Sequence, residues 1–498
     1  MNILDTLDAV FDLDVGWRPV SGTIKPVHIA NGLFRSLLRV QYPLETAVAF
    51  LRPDNGQEER TYEHLVQKTQ NPRYAAFSDP TRKPKFEQLR EFARGLLAAD
   101  RAVFPSADHS SFSLTCRELI SRDNNDRNVG AFAAGLLRGK DGNGRLSKLV
   151  MTWLPEKEQA PADPVTALAW PLLSCEPQLL DGHEPNALRQ NPKAAQIVGL
   201  LEQAANQLAD HEATHSNRLA GLQRTVHFSI LGLLAHAQAL SANGDLAKRP
   251  PLLLTACAAK DSGLARASEE SLARFFIAFE DHLVQQLRVR LDRNDPVRYG
   301  SRKSEDERLE LPAQRRDSVA RFFEGIAGYK DAPVNKKLLN QRLECWQRVS
   351  RLRGKDDAAL VMADTLVECY LTENKGGNPK AFLQGLACRA GLIYPYFEGR
   401  SAQKRLRPTV EMLEVLVKSC TSPSRPVPDQ EFLDALWSTF GLLTGGRPDD
   451  ALILKDASIE VGFEELSSNW DAMVTRLADI GLARRYPDNI SYIGRFHA

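Results

Sequence analysis

The chain has 498 residues, 43% hydrophobic and 26% charged, with a formal net charge of +1. That length suffices for about two to four domains with separate cores, and the near-zero total excludes a global field of the kind that marks nucleic-acid or membrane binders, while leaving local patches open. Seven scattered cysteines (Cys116, Cys175, Cys257, Cys345, Cys369, Cys388, Cys420) exclude a CxxC zinc ribbon and a disulfide framework, and suit a reducing compartment.

The N-terminus, Met1-Asn2-Ile3-Leu4-Asp5, carries an acid where a signal peptide needs bases. No apolar run reaches the ~18 residues of a membrane span. The expected location is cytoplasmic, with no membrane partner. Residues 1–190 read as a mixed α/β region: Leu33–Val40 and Phe86–Leu97 have helical spacing, whereas Thr46–Leu51 and Leu149–Leu154 are short β-favouring runs. Arg138–Arg145 is a turn by composition, and it lacks the alternating acids and closing glutamate of a calcium loop. The proline-rich stretch 155–192 reads as a connector.

Residues 191–330 read as a long-helix domain. Asn191 and Pro192 are suited to N-cap and N1 positions, and apolar residues recur at Val198, Leu201, Ala205, Leu208, Leu219, Leu222 and Val226. Further helices are expected over Glu269–Val289 and Val319–Ile326, separated by the charge-dense segment Arg298–Arg316. A basic helical domain, 331–425, follows, with helical spacing at Leu338–Val349, Ala358–Leu371, Pro379–Gly391 and Val410–Cys420, and with Thr421–Pro428 as a linker.

Residues 426–498 are the most patterned. Asp429–Leu443 reads as a helix stopped by Gly445-Gly446, and Phe463–Leu466 as a short helix followed by a turn at Ser467-Ser468-Asn469. Trp470–Ile480 has one apolar stripe and ends at Gly481. Leu482–Tyr486 and Ile490–Ile493 flank Pro487-Asp488-Asn489 as a hairpin. Helix, helix and basic hairpin together resemble a winged helix-turn-helix, a large architectural class that both binds DNA and docks proteins. The fold class is therefore mainly α and multidomain, with a mixed N-terminal region, a helical middle and a winged-helix-like C-terminal module.

One string matches a catalytic pattern. His211-Glu212-Ala213-Thr214-His215 is HExxH, in which two imidazoles one helical turn apart hold zinc and the glutamate activates water. A third ligand is missing from the metzincin position after His215, and His227 lies ~18 Å further along a continuous helix. His211 and His215 also continue the apolar seam of Leu201, Ala204 and Leu208. They read as structural histidines, so no metal, cofactor or catalytic residue is assigned; a zinc-dependent hydrolase using His211, Glu212 and His215 is the alternative from another class.

The stretch Arg288–Lys355 has eight more Lys/Arg than Asp/Glu. Lys336, Lys337, Arg342, Arg348, Arg351, Arg353 and Lys355 lie on or near one helix with Trp346. A second cluster, Arg400, Lys404, Arg405 and Arg407, follows Tyr394-Pro395-Tyr396-Phe397. Basic residues beside aromatics can grip phosphates and stack bases. The candidate nucleic-acid contacts are Lys336, Lys337, Arg348, Arg351, Arg353, Lys355 and Lys404, with Arg476, Arg484 and Arg485 in the terminal module. No GxxxxGK[ST], GxGxxG after a strand, or GxSxG appears. The sequence thus reads as a non-catalytic nucleic-acid-binding or scaffolding subunit of a larger bacterial-type assembly. Its expected partners are other protein subunits and DNA or RNA; a pure protein–protein adaptor is the third reading.

Overall fold

A computed structural model describes residues 2–20, 24–41, 72–89, 91, 117, 120, 128–139, 142–154, 156, 178–179, 191–214, 217–256, 262–292, 311–354, 356–396, 404–487 and 490–496. The described chain is mainly helical. It divides into two compact units: a small one of residues 25–184 and 205–229, and a large one of residues 1–24, 185–204 and 230–498. The expected elements at Thr46–Leu51, most of Phe86–Leu97 and most of Arg298–Arg316 fall outside the described residues.

In the small unit, α1 (Pro26–Leu38) starts on a proline whose fixed φ suits N1 and buries Val27, Ala30, Leu33, Phe34 and Leu37. It crosses α2 (Val129–Arg138) backbone to backbone. A Cβ on Gly130 would lie 2.3 Å from the carbonyl carbon of Gly32, so only glycine fits there. The run Leu149–Leu154, β-favouring by composition, lies instead largely in helix α3 (Arg145–Trp153). Its buried residues Leu146, Val150 and Trp153 recur at steps of four and three, and this helical stripe outweighs local propensity. Val40–Gln41 (β1) pairs antiparallel with Gln178–Leu179 (β2).

Helix α4 (Ala195–Glu212) begins three residues after Pro192, with Asn191 Oδ1 accepting the Lys193 N–H at 3.0 Å. Helix α5 (Arg218–Ser241) is a separate element, so the continuous helix expected through this region is broken after Glu212.

The large unit is built around α6 (Gly263–Asp292), which buries Phe275, Phe276, Phe279, Leu283 and Leu287. The first residues of the chain belong here: Asn2 bridges Ala327, a π-helical turn spans Val10–Val15, and Trp17 packs on Phe279 and Phe382 at 6.0 and 5.4 Å. Helices α7 (Arg316–Glu324), α8 (Lys336–Arg353), α9 (Ala358–Glu373) and α10 (Pro379–Arg389) follow, with α8 and α9 forming a helical hairpin. Asn335, Asp357 and Asn378 cap α8, α9 and α10 through their side chains.

Short strands knit the remainder. Leu252–Leu253 (β3) runs parallel to Leu442–Leu443 (β7), and Ile393–Tyr394 (β4) antiparallel to Arg405–Leu406 (β5). Serines of α6 complete their hydrogen bonding: Ser268 Oγ donates to the Leu253 carbonyl and accepts the Leu406 N–H, and Ser271 Oγ accepts the Leu253 N–H. Helix α11 (Val410–Cys420) leads to Val427–Pro428, which is not a free linker but strand β6. Proline is tolerated there because β6 is an edge strand.

Helix α12 (Asp429–Phe440) ends on Gly441, at φ 63°, earlier than the expected Gly445-Gly446. After α13 (Asp450–Asp456), a single helix α14 (Phe463–Asp479) runs straight through Ser467-Ser468-Asn469, where a turn was expected. Asn469 is spent on tertiary bonds instead: its amide donates to the Leu254 and Thr444 carbonyls, both at 2.8 Å, and its Oδ1 accepts the Ala256 N–H. The hairpin forms as expected, from β8 (Ala483–Arg485) and β9 (Ser491–Ile493), and the sheet order is β6-β9-β8, all antiparallel.

Candidate nucleic-acid interface

The HExxH string sits where α4 stops. The helix ends at Glu212, Ala213 and Thr214 are turn residues, and His215 lies outside the described residues. The shared helical face that the motif requires is therefore not provided by α4. Glu212 is buried, and both its oxygens accept from Arg224, at 2.6 and 2.7 Å. A carboxylate held in a bidentate guanidinium pair is a structural anion rather than a base facing water. Among the described residues, no group of three His, Cys, Asp or Glu side chains is placed to hold a metal ion. Arg224 was the missed signal: it lies twelve residues beyond Glu212, too far for a local pairing rule to connect them.

Along α8, the basic residues divide by partner. Arg342 points inward: it is 1% exposed, bonds Glu373 through two nitrogens, and donates to the Phe323, Ile326 and Ala327 carbonyls. Trp346 is also buried, its Nε1 donating to Gln314, so it offers no face to a base. Arg348 pairs with Glu368, and Arg353 with Asp364 at 2.8 Å and Asp281 at 3.5 Å. Lys336, Lys337 and Arg351 are exposed and have no carboxylate partner among the described residues. The two lysines occupy the first turn of α8, where the helix dipole disfavours cations and no acid compensates. Lys355 lies outside the described residues.

A cleft of about 360 Å³ separates this helix from α9, lined by Cys345, Cys369, Arg348 and Glu368 among others. The neighbouring Cys369 thiol and then burial push the Cys345 thiol far up, so it stays protonated and unreactive.

The second cluster is tighter than its sequence suggested. The backbone from Arg405 to Thr409 is fixed on both sides: β5 pairs with β4, Arg407 N–H bonds the Leu392 carbonyl, Thr409 N–H bonds the Gly391 carbonyl, and Thr255 N–H bonds the Leu406 carbonyl. Arg405, 1% exposed, lies 5.0 Å from the Tyr394 ring centre, and Arg407 lies 5.6 Å from the same ring. Tyr396 meets Tyr394 edge to face, and its hydroxyl donates to the Arg407 carbonyl at 2.9 Å. Lys404 is half-buried just before β5. Phe397 and Arg400 lie outside the described residues.

Arg476, expected on an outward recognition face, is instead brought to this cluster. Its Nη2 donates to the Pro408 carbonyl at 2.7 Å. Burial, and then the positive charge of Arg407, lower its pKa. The outward face of α14 is left to Glu464, Glu465, Asp471 and Asp479. On the hairpin, Arg485 pairs with Asp471 at 2.6 Å and Arg484 stacks 4.6 Å from the Phe496 ring. Tyr486 and Tyr492 pack edge to face.

No protein-family model, curated protein or solved structure matches this chain. No described helix is long and apolar enough to cross a membrane.

Proposed function

We infer that this protein is a binding and scaffolding subunit, without catalysis of its own, of a larger assembly that handles nucleic acid. The observation that carries the reading is the connectivity of the C-terminal segment. The order α11, β6, α12, β7, α13, α14, β8, β9, with the sheet order β6-β9-β8, resembles a winged helix-turn-helix in which β7 and α13 are interposed, and this resemblance supports the reading. In DNA-reading members of that class, the helix before the hairpin enters the major groove. Here the charges on its outward face that lack a cationic partner among the described residues, Glu464, Glu465 and Asp479, are acidic and would be repelled by phosphates, so this module docks a protein partner. Nucleic-acid contact falls instead to α8, through Lys336, Lys337 and Arg351.

The test is fluorescence anisotropy of the full chain with labelled single-stranded DNA, duplex DNA and RNA over a salt series. Affinity should fall as salt rises, and the K336E/K337E/R351E variant should bind about tenfold more weakly or worse, because three phosphate contacts become repulsive. R484E/R485E should bind as the parent does. Loss through the hairpin variant and not through α8 would reverse this assignment. The acidic face of α14 favours a second reading, a protein–protein adaptor alone; undetectable binding at low salt would select it.

A further inference from the structure

Several buried and half-buried arginines among the described residues are matched by acids, although Arg249 beside Arg447 is not. Arg249 and Arg447 lie 4.5 and 6.0 Å from the Trp437 ring centre, and Arg447 is matched by Asp434 at 2.9 Å. Arg18 is matched by Asp8 and Asp12, Arg290 by Asp14, and Arg342 by Glu373. The cluster at β5 and α14 departs from that pattern. Arg407 and Arg476 approach closely enough to repel one another, both are half-buried, and neither has an ion pair among the described residues.

Their hydrogen bonding is incomplete as well. Arg407 Nε and Arg476 Nη1 are shielded from solvent and meet no acceptor, and no side-chain hydrogen bond of Arg407 occurs among the described residues. Glu269 feels the charge of Arg405 and Glu411 acts on Tyr396, but neither forms an ion pair with Arg407 or Arg476 among the described residues. A desolvated N–H without an acceptor costs about 1–3 kcal/mol, more when charged. The protein holds this costly arrangement rigidly, on a backbone bonded from both sides.

We propose that Arg407 and Arg476, buttressed by Arg405, Tyr394 and Tyr396, form a binding site for a phosphate group, and that the phosphate belongs to a nucleotide unit. A carboxylate has two coplanar oxygens and is satisfied by a single guanidinium fork. Two separate guanidiniums with open hydrogens call for a tetrahedral oxyanion that can accept from both. Tyr396 stays neutral, since burial raises its pKa, and its hydroxyl anchors the Arg407 backbone. Arg405 and Arg407 both lie over the Tyr394 ring, so that ring is engaged by guanidinium groups and the site grips a phosphate rather than stacking a base. The nucleotide source rests on the reading that the protein handles nucleic acid; the phosphate site does not.

The experiment is thermal unfolding of the full chain in sodium phosphate against sodium chloride at equal ionic strength. Phosphate should raise the midpoint of the parent, and R407Q should abolish the rise. The K336E/K337E/R351E variant should keep it, which separates this site from α8. Because R407Q could lower stability by itself, Y396F serves as a milder companion: it removes the bond to the Arg407 carbonyl and should weaken phosphate binding several-fold. A parent that responds equally to phosphate and chloride, or an R407Q that keeps the full response, overturns the proposal. Adding a mononucleotide and a 20-nucleotide oligomer identifies the source. Equal affinities assign a free nucleotide, and tighter oligomer binding that phosphate displaces assigns a nucleic-acid backbone. Phosphate binding with no affinity for either upholds the site and overturns its nucleotide source.

Discussion

Two arginine-rich regions of the large unit use the same residue type in opposite ways. On α8 and α9 the charges are cancelled locally: Arg342 by Glu373, Arg348 by Glu368, Arg353 by Asp364 and Asp281. At β5 and α14, Arg407 and Arg476 are brought together from about seventy residues apart and have no carboxylate partner among the described residues. Counting cations along the chain ranks α8 first. Following partners ranks the second region first, because electrostatic attraction depends on charge that is not already neutralised. Among the described residues of α8 itself, the cations without a carboxylate partner are Lys336, Lys337 and Arg351.

The largest expected effect probes the cancelled side. Removing Arg342 leaves Glu373 and three carbonyls without their buried donor, so R342A should lose about 3–5 kcal/mol in urea unfolding. R348A, which breaks an exposed pair, should lose under about 1 kcal/mol. Similar losses from both would mean that the two pairs are equally structural, and the inward–outward division of α8 would fail.

A second effect concerns charge excluded altogether. His236 on α5 and His282 on α6 are buried, and burial lowers them from 6.5 to about 3 and about 4. Both are neutral in the folded chain above those values, whereas the unfolded chain protonates them below about 6.5. Their contribution is therefore full above pH 6.5 and declines as pH falls toward 4, by about 1.4 kcal/mol per pH unit for each histidine. Asp8, raised to about 6 by burial, acts in the opposite sense over part of that range. The clean measurement is a difference: between pH 6 and 5, the stability of H282Q should fall less steeply than the parent's by about 1.4 kcal/mol per unit. Parallel slopes would place a charged or exposed imidazole at position 282.

Much of the fold was legible because helical periodicity survives in helices that each bury one face. The helices around Leu338–Val349, Ala358–Leu371 and Val410–Cys420, and the hairpin after Gly481, all form near their expected places. The misses share a cause. Ser467-Ser468-Asn469 carries turn chemistry, but Asn469 gains three buried hydrogen bonds from residues 25 to 215 positions away, and the helix runs through. Leu149–Leu154 has β-favouring residues, but Val150 and Trp153 complete a stripe that starts at Leu146. The placement of residues 2–20 in the large unit rests on contacts such as Trp17 with Phe382, for which no local pattern exists. The same holds for the candidate site: the sequence pointed to Arg405, Arg407 and Arg476 as cations, yet not to their meeting.

The smallest expected effect is also the most discriminating. Glu368 and Asp364 neutralise Arg348 and Arg353 on the solvent side of the α8–α9 pair, so E368Q/D364N should unmask two cations at a stability cost within about 1 kcal/mol. If α8 tracks a nucleic-acid backbone, each unmasked cation that finds a phosphate adds about 0.7–0.9 to the slope of log affinity against log salt. Arg353 keeps Asp281 at 3.5 Å, so the total gain lies between one and two such increments. Binding at low salt should tighten, and at high salt the variant and parent should converge. An unchanged slope would remove α8 from the footprint and leave Arg407 and Arg476 to grip phosphate alone. The contrast would then be complete: one region in which charge only holds helices together, and another in which it is kept open for a ligand.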